Sequence, residues 1–235
     1  MMFSSKKFRN EFKYYITYHE MIALRAKLIE YLSLDPYSLS EEGYSIRSLY
    51  FDSPFDHALY DKNEGVFNRE KYRIRIYNES DAVIRLERKS KFGDFVCKEG
   101  ASLSRDDYNS ILNGQYHHLS SYEAPLIKDF YYALQHRHYK PITIVDYTRE
   151  AYLYEMGNVR ITFDKELRGC VNCLDLFDNR GIYESILAPE LVILEIKFDQ
   201  FLPDSIRKLI APDNFVRSAI SKYVLCREKN IQYFK

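Results

Sequence analysis

Tryptophan is absent from this 235-residue chain, and glycine (8), proline (7) and cysteine (4) are sparse. With so little Gly and Pro there is no flexible linker, and no low-complexity tract or internal repeat divides the chain. A single domain over 1–235 is therefore expected. The cysteines at 97, 170, 173 and 226 fit a reduced compartment, where they need not pair. Cys170 and Cys173 have zinc-knuckle spacing, but no second such pair or nearby His cluster completes four ligands. They are expected as small core or strand residues.

Long apolar runs are missing too. No stretch approaches the roughly 20 residues that cross a bilayer, and residues 1–10 lack the apolar core of a secretory signal. A cytoplasmic protein without direct membrane insertion is expected. Excess charge of one sign is also absent, since 34 Lys+Arg face 34 Asp+Glu. That balance gives no general polyanion signal and no reason to expect nucleic acid, so any positive patch must come from arrangement. The P-loop signature, the kinase Gly-rich loop and the G-x-S-x-G elbow do not occur. His117-His118 and His136-Arg137-His138 read as solvated helix or loop positions.

What the chain does have is 46% hydrophobic and 29% charged residues, enough for one sizeable core, with 22 Tyr and 15 Phe. Helical periodicity predicts helices over 19–34, with Ile22, Ala26, Ile29 and Leu32 on one face, and over 104–113, 124–138, 204–210 and 217–228. Strands are expected over 44–51, 94–98, 142–154 and 191–198. The predicted architecture is α+β, mainly antiparallel.

Several strand-like runs alternate charged and apolar residues: 9–13, 71–77, 85–89, 160–164 and 194–198. Side chains alternate faces along a strand, so Arg73 with Arg75, Glu87 with Lys89, and Glu195 with Lys197 each share a face. One such run describes an ordinary half-buried sheet. Recurrence of Arg and Lys with Glu at i and i+2 points instead to a closed, polar-lined barrel covered outside by helices. Cations lining a tunnel need water, carboxylates or a bound polyanion to answer them. Phosphates suit Arg forks and Lys point charges, and two Glu among them suit Mg²⁺ or Mn²⁺.

These residues carry a resemblance. From 8 to 233 the chain resembles the VTC polyphosphate polymerase domain, a branch of the triphosphate tunnel metalloenzyme superfamily. The motifs come in the family's order: Phe12-Lys13-Tyr14, the runs 48–52, 71–77 and 86–89, Tyr147-Thr148-Arg149, 159–164, 194–197 and Ser221-Lys222-Tyr223. The resemblance implies an antiparallel β-tunnel that binds ATP and threads polyphosphate. It implies phosphate contacts from Lys13, Arg73, Arg75, Lys89, Lys98, Arg149, Arg160 and Lys222, with Tyr147, Lys197 and Ser221 beside them. Glu195, with Glu87 nearby, would ligate Mn²⁺ or Mg²⁺. Arg9 stands where the wider superfamily has the first Glu of Glu-x-Glu-x-Lys, which weakens a triphosphatase or cyclase reading. The phosphate-sensing and transmembrane parts of eukaryotic members are not found in this sequence, so product delivery across a membrane is expected to need a separate partner. The expected activity is an ATP-dependent polyphosphate polymerase. A tunnel-fold triphosphatase and a non-catalytic polyphosphate-binding subunit are the alternatives, and the oligomeric state stays open.

Overall fold

A computed structural model describes residues 9–38, 40, 42–92, 95–211 and 214–233. In chain order the elements are β1 (Asn10–Thr17), α1 (Tyr18–Tyr31), β2 (Ser33–Leu34), β3 (Tyr44–Asp52), α2 (His57–Asn63), β4 (Asn68–Tyr77), β5 (Ser80–Phe92) and β6 (Phe95–Leu103). They continue with α3 (Arg105–Leu112), α4 (Pro125–His136), β7 (Lys140–Tyr154), β8 (Val159–Cys170), β9 (Tyr183–Ser185), β10 (Leu191–Phe198), α5 (Asp204–Ile210) and α6 (Lys222–Tyr233). The mixed α+β, antiparallel class expected from the sequence is what forms. No helix among the described residues is long and apolar enough to cross a membrane.

The residues cluster into two compact units, each discontinuous in sequence. The first comprises 1–45, 147–167 and 185–221; the second comprises 46–146, 168–184 and 222–235. In the first, β1 pairs with β10 and β10 with β8, both antiparallel, and β2 pairs with β7. The apolar positions Tyr14, Ile16, Ile161, Phe163, Leu194 and Ile196 bury one face against Met21, Leu24 and Leu28 of α1 and Ile206 and Ile210 of α5. In the second, β3, β4, β5 and β6 pair in order, antiparallel throughout. There Leu49, Tyr72, Ile74 and Leu86 pack under Tyr108 of α3 and Phe130 of α4.

Several sequence expectations shift. Helix α1 buries Met21, Leu24 and Leu28, whereas Ile22 and Ile29 are 37% and 61% exposed. The helix is apolar on two sides, and tertiary packing chose the face that periodicity did not. Thr17 opens it with a capping box to Glu20, and it stops at Tyr31 because Ser33 and Leu34 enter a ladder with β7. Helix α6 begins at Lys222, five residues later than predicted, because the preceding segment is strand-like: Tyr14 bridges Arg217, and the Ser218 N–H donates to the Lys13 carbonyl at 2.9 Å. The short α2 was not anticipated. Asp94, the first residue of a predicted strand, lies outside the described residues, and that strand runs from Phe95 to Leu103.

The closed barrel is not what the hydrogen-bond ladders show: among the described residues neither unit's sheet closes on itself. In the first unit the outer edge of β1 is occupied by the 217–218 segment, which blunts it as sheet edges commonly are.

Candidate anion-binding site

In the first unit the register places Glu11 opposite Lys197 and Lys13 opposite Glu195, with Thr162 and Arg160 opposite Glu195 and Lys197 on the next strand. All six therefore share the face turned away from the α1 core. Lys13 Nζ lies 3.1 Å from Glu195 and 3.4 Å from Glu11, and Lys197 Nζ lies 2.5 Å from Glu195 and 3.7 Å from Glu11. Arg149 grips Asp164 with two bonds of 2.6 and 2.7 Å and reaches Glu195 at 3.5 Å, with Tyr147 5.3 Å below its guanidinium. Burial lowers the Lys197 ammonium to about 8, with Arg149 adding to the effect and Glu195 and Glu11 opposing it. For Lys13 burial also works against the charge, but Glu195 and Glu11 outweigh it and the group is raised. The cluster is thus close to charge-balanced. Arg160 donates to Asp35 and to the Tyr44 hydroxyl. The Thr162 Oγ1, buried on this face, has no hydrogen-bond partner among the described residues.

Gly43 helps place Arg149. Its φ of +96° is a left-handed conformation, and a Cβ there would lie 2.0 Å from the Arg149 carbonyl oxygen. Gly43→Ala is expected to cost at least about 1–2 kcal/mol from the backbone conformation alone, with the clash added. A melting temperature within a degree of wild type would refute this.

In the second unit the alternate positions Arg69, Lys71, Arg73 and Arg75 of β4 lie opposite Lys91, Lys89, Glu87 and Arg85 of β5, and Lys98 lies opposite Lys89 on β6. Glu87 is the carboxylate within this array of cations on β4–β6. Its Oε2 accepts from Arg73 Nε at 2.6 Å and sits 3.8 Å from Arg75 Nη1. Burial pushes the Glu87 carboxyl up, but Arg73, Arg75 and Lys98 outweigh it and hold it down at about 2. Arg73 also donates to the Tyr50 hydroxyl and Arg75 to Ser48 Oγ. Burial raises the Tyr50 hydroxyl, yet Arg73, Arg75 and Lys222 together leave it lowered. Asp52, fully buried, accepts N–H bonds from Ser53, Ala58 and Leu59 and an O–H bond from Tyr223 at 2.6 Å, and so anchors α2 beside this face.

The predicted residues therefore gather within each unit: Lys13, Arg149, Glu195 and Lys197, with Tyr147 and Arg160, in the first; Arg73, Arg75, Glu87, Lys89 and Lys98 in the second. Ser221 and Lys222 fall at the start of α6, next to Ile220, whose carbonyl accepts from Lys13 Nζ. Sequence reasoning left out Lys71, Tyr50 and Asp164. The period-2 alternation that selected Arg73 also marks Lys71, but Asp164 shows its role only through its pairing with Arg149. Arg9 is tied to Asp199 at 3.1 Å. Cys170 is buried in the second core.

No three His, Cys, Asp or Glu side chains gather into a metal cage among the described residues. Glu11 and Glu195, on neighbouring strands and sharing two ammonium groups, have the chemistry for a hard cation that takes one or two carboxylates plus phosphate oxygens. Glu87 acts as counterion to two guanidinium groups.

No curated protein matches this sequence. Among solved structures, a Bacillus halodurans protein provisionally described as an adenylate cyclase matches with a TM-score of 0.53 and 14% identity, covering 93% of this chain and 96% of its own. The PH1819 protein of Pyrococcus horikoshii matches with a TM-score of 0.48 and 16% identity, covering 94% and 99%. The first of these likenesses is one of fold. The VTC domain matches residues 8–230, a span that runs from β1 into α6 and takes in every residue of both charged clusters. The chain belongs to the VTC domain family.

Proposed function

We propose that this protein is an ATP-dependent polyphosphate polymerase that transfers the γ-phosphate of ATP to a growing polyphosphate chain. The observation that carries the reading is the face of β4–β6, where Arg and Lys crowd around Glu87. Partly buried cations in that number call for a bound polyanion, and VTC family membership supports a phosphate chain as that anion. In this reading Arg73, Arg75, Lys89, Lys98 and Lys222 hold phosphates on the second unit, and Lys13, Arg149, Arg160 and Lys197 do so on the first. Tyr147 and Ser221 assist as hydrogen-bond donors. Glu195, with Glu11 beside it, would hold Mn²⁺ or Mg²⁺, whose charge would offset that of the phosphate oxygens. Positioning and charge neutralisation then supply the catalysis, and no protein nucleophile is required.

Purified protein with ATP, Mn²⁺ and a short polyphosphate primer should lengthen the primer as ATP becomes ADP, read on a gel. Release of free phosphate without chain growth, across several metals and primers, would move the assignment to a triphosphatase.

A further inference from the structure

Lys71 lies on the cationic face of the second unit. It sits on β4 with Lys89 as its cross-strand partner, and its Nζ lies 4.4 Å from the centre of the Tyr223 ring. It has no ion-pair partner among the described residues. Lys62 from α2, Lys89 from β5 and Arg69 from its own strand all act on it with like charge. Asp52 on β3 pulls the other way, but its oxygens are already engaged by three backbone N–H groups and the Tyr223 hydroxyl. Arg73 and Arg75 on the same strand are answered by Glu87, Tyr50 and Ser48; among the described residues Lys71 meets an aromatic face, worth about 0.5–2 kcal/mol.

We propose that Lys71, with Lys62 and Lys89, forms a further phosphate subsite at this end of the face, and that Lys71 takes up a proton as the phosphate binds. The inference rests on the polyphosphate reading and adds to it a residue and a proton linkage. The supporting chemistry is direct. Burial first, then Lys62, Lys89 and Arg69, bring the ammonium of the free protein down to about 7. A phosphate oxygen supplies the negative charge that the site lacks, so the bound state holds the proton well above that pH.

Tripolyphosphate binding without metal, measured by calorimetry between pH 6 and pH 8, tests this. Lys71→Arg keeps a fixed charge, so titration of the ligand and of Lys197 cancels in the ratio of wild-type to variant affinity. That ratio should fall about tenfold from pH 6 to pH 8. Lys71→Met, never protonated, should give the same tenfold fall, so a variant that fails to fold does not remove the test. Equal pH slopes in wild type and a folded variant, with tight binding in both, would overturn the subsite alone. Failure of wild type to bind tripolyphosphate would overturn the polyphosphate reading, and the subsite with it.

Discussion

Replacing Arg73 and Arg75 together with Ala should weaken binding of ATP or tripolyphosphate at least about a hundredfold while the protein stays folded at pH 7. Each side chain can make charge-assisted bonds worth about 1.5–3 kcal/mol to a phosphate, and their strand spacing of about 7 Å lets them share one triphosphate. The fold should survive because Ile74 and Ile76, on the opposite face, keep their full burial. Stability should nevertheless become acid-sensitive in a different way. In wild type Glu87 is held down at about 2. Its depressed value contributes stability that is fully present above about pH 4.5 and is lost as pH falls through 2, on the order of 3 kcal/mol. Without its arginines that contribution disappears, and loss of repulsion among the remaining cations offsets part of it. The variant should melt lower at pH 7, and the stability difference from wild type should shrink below pH 3. Near-normal affinity in a folded double variant would show that this face does not meet the ligand.

Glu195→Gln should separate turnover from binding. Metal-dependent polymerisation should fall by at least about two orders of magnitude, because an amide keeps the shape and loses the charge that a hard cation needs. Tripolyphosphate affinity without metal should hold or rise, since a negative group has left a site for negative ligand. A third readout follows from the geometry. Glu195 is only 3% exposed and is shared by Lys13, Lys197 and Arg149, so removing its charge should cost on the order of 3 kcal/mol of stability. Arg149 keeps Asp164 and Lys13 keeps Glu11, which limits the loss. Added tripolyphosphate should restore the melting temperature by supplying the missing negative charge. Full activity of this variant at low Mn²⁺ would reduce Glu195 to an ion-pair partner and send the search for the metal to Glu11 or Glu87.

The alternation of charge along β1, β4, β5, β8 and β10 was readable without any structure, because a strand's period of two does not depend on its neighbours. It assigned Arg73 with Arg75, Glu87 with Lys89 and Glu195 with Lys197 to shared faces, and the ladders place them so. Helix α3 was equally legible, with Ser104 as its cap and a capping box to Asp107, and α5 spans the predicted residues, since both begin and end on local signals. Where two local choices were nearly equal the sequence could not decide. Helix α1 offers apolar residues on two faces, and only the packing of Met21, Leu24 and Leu28 against β1 and β10 selects one.

The residues that determine how each cation is answered lie far apart in the chain. Asp164 reaches Arg149 across a strand pair, Tyr223 reaches Asp52 across 171 positions, and α2 stands where it does because Asp52 accepts its first N–H groups. None of this has a local signature. The sequence by itself determined the antiparallel α+β class and which faces of its strands carry charge, because those follow from side-chain alternation. Only the tertiary structure decided which of those charges neutralise one another, as around Glu195, and which meet like charge instead, as at Lys71, because that depends on distances between strands that the chain brings together only on folding.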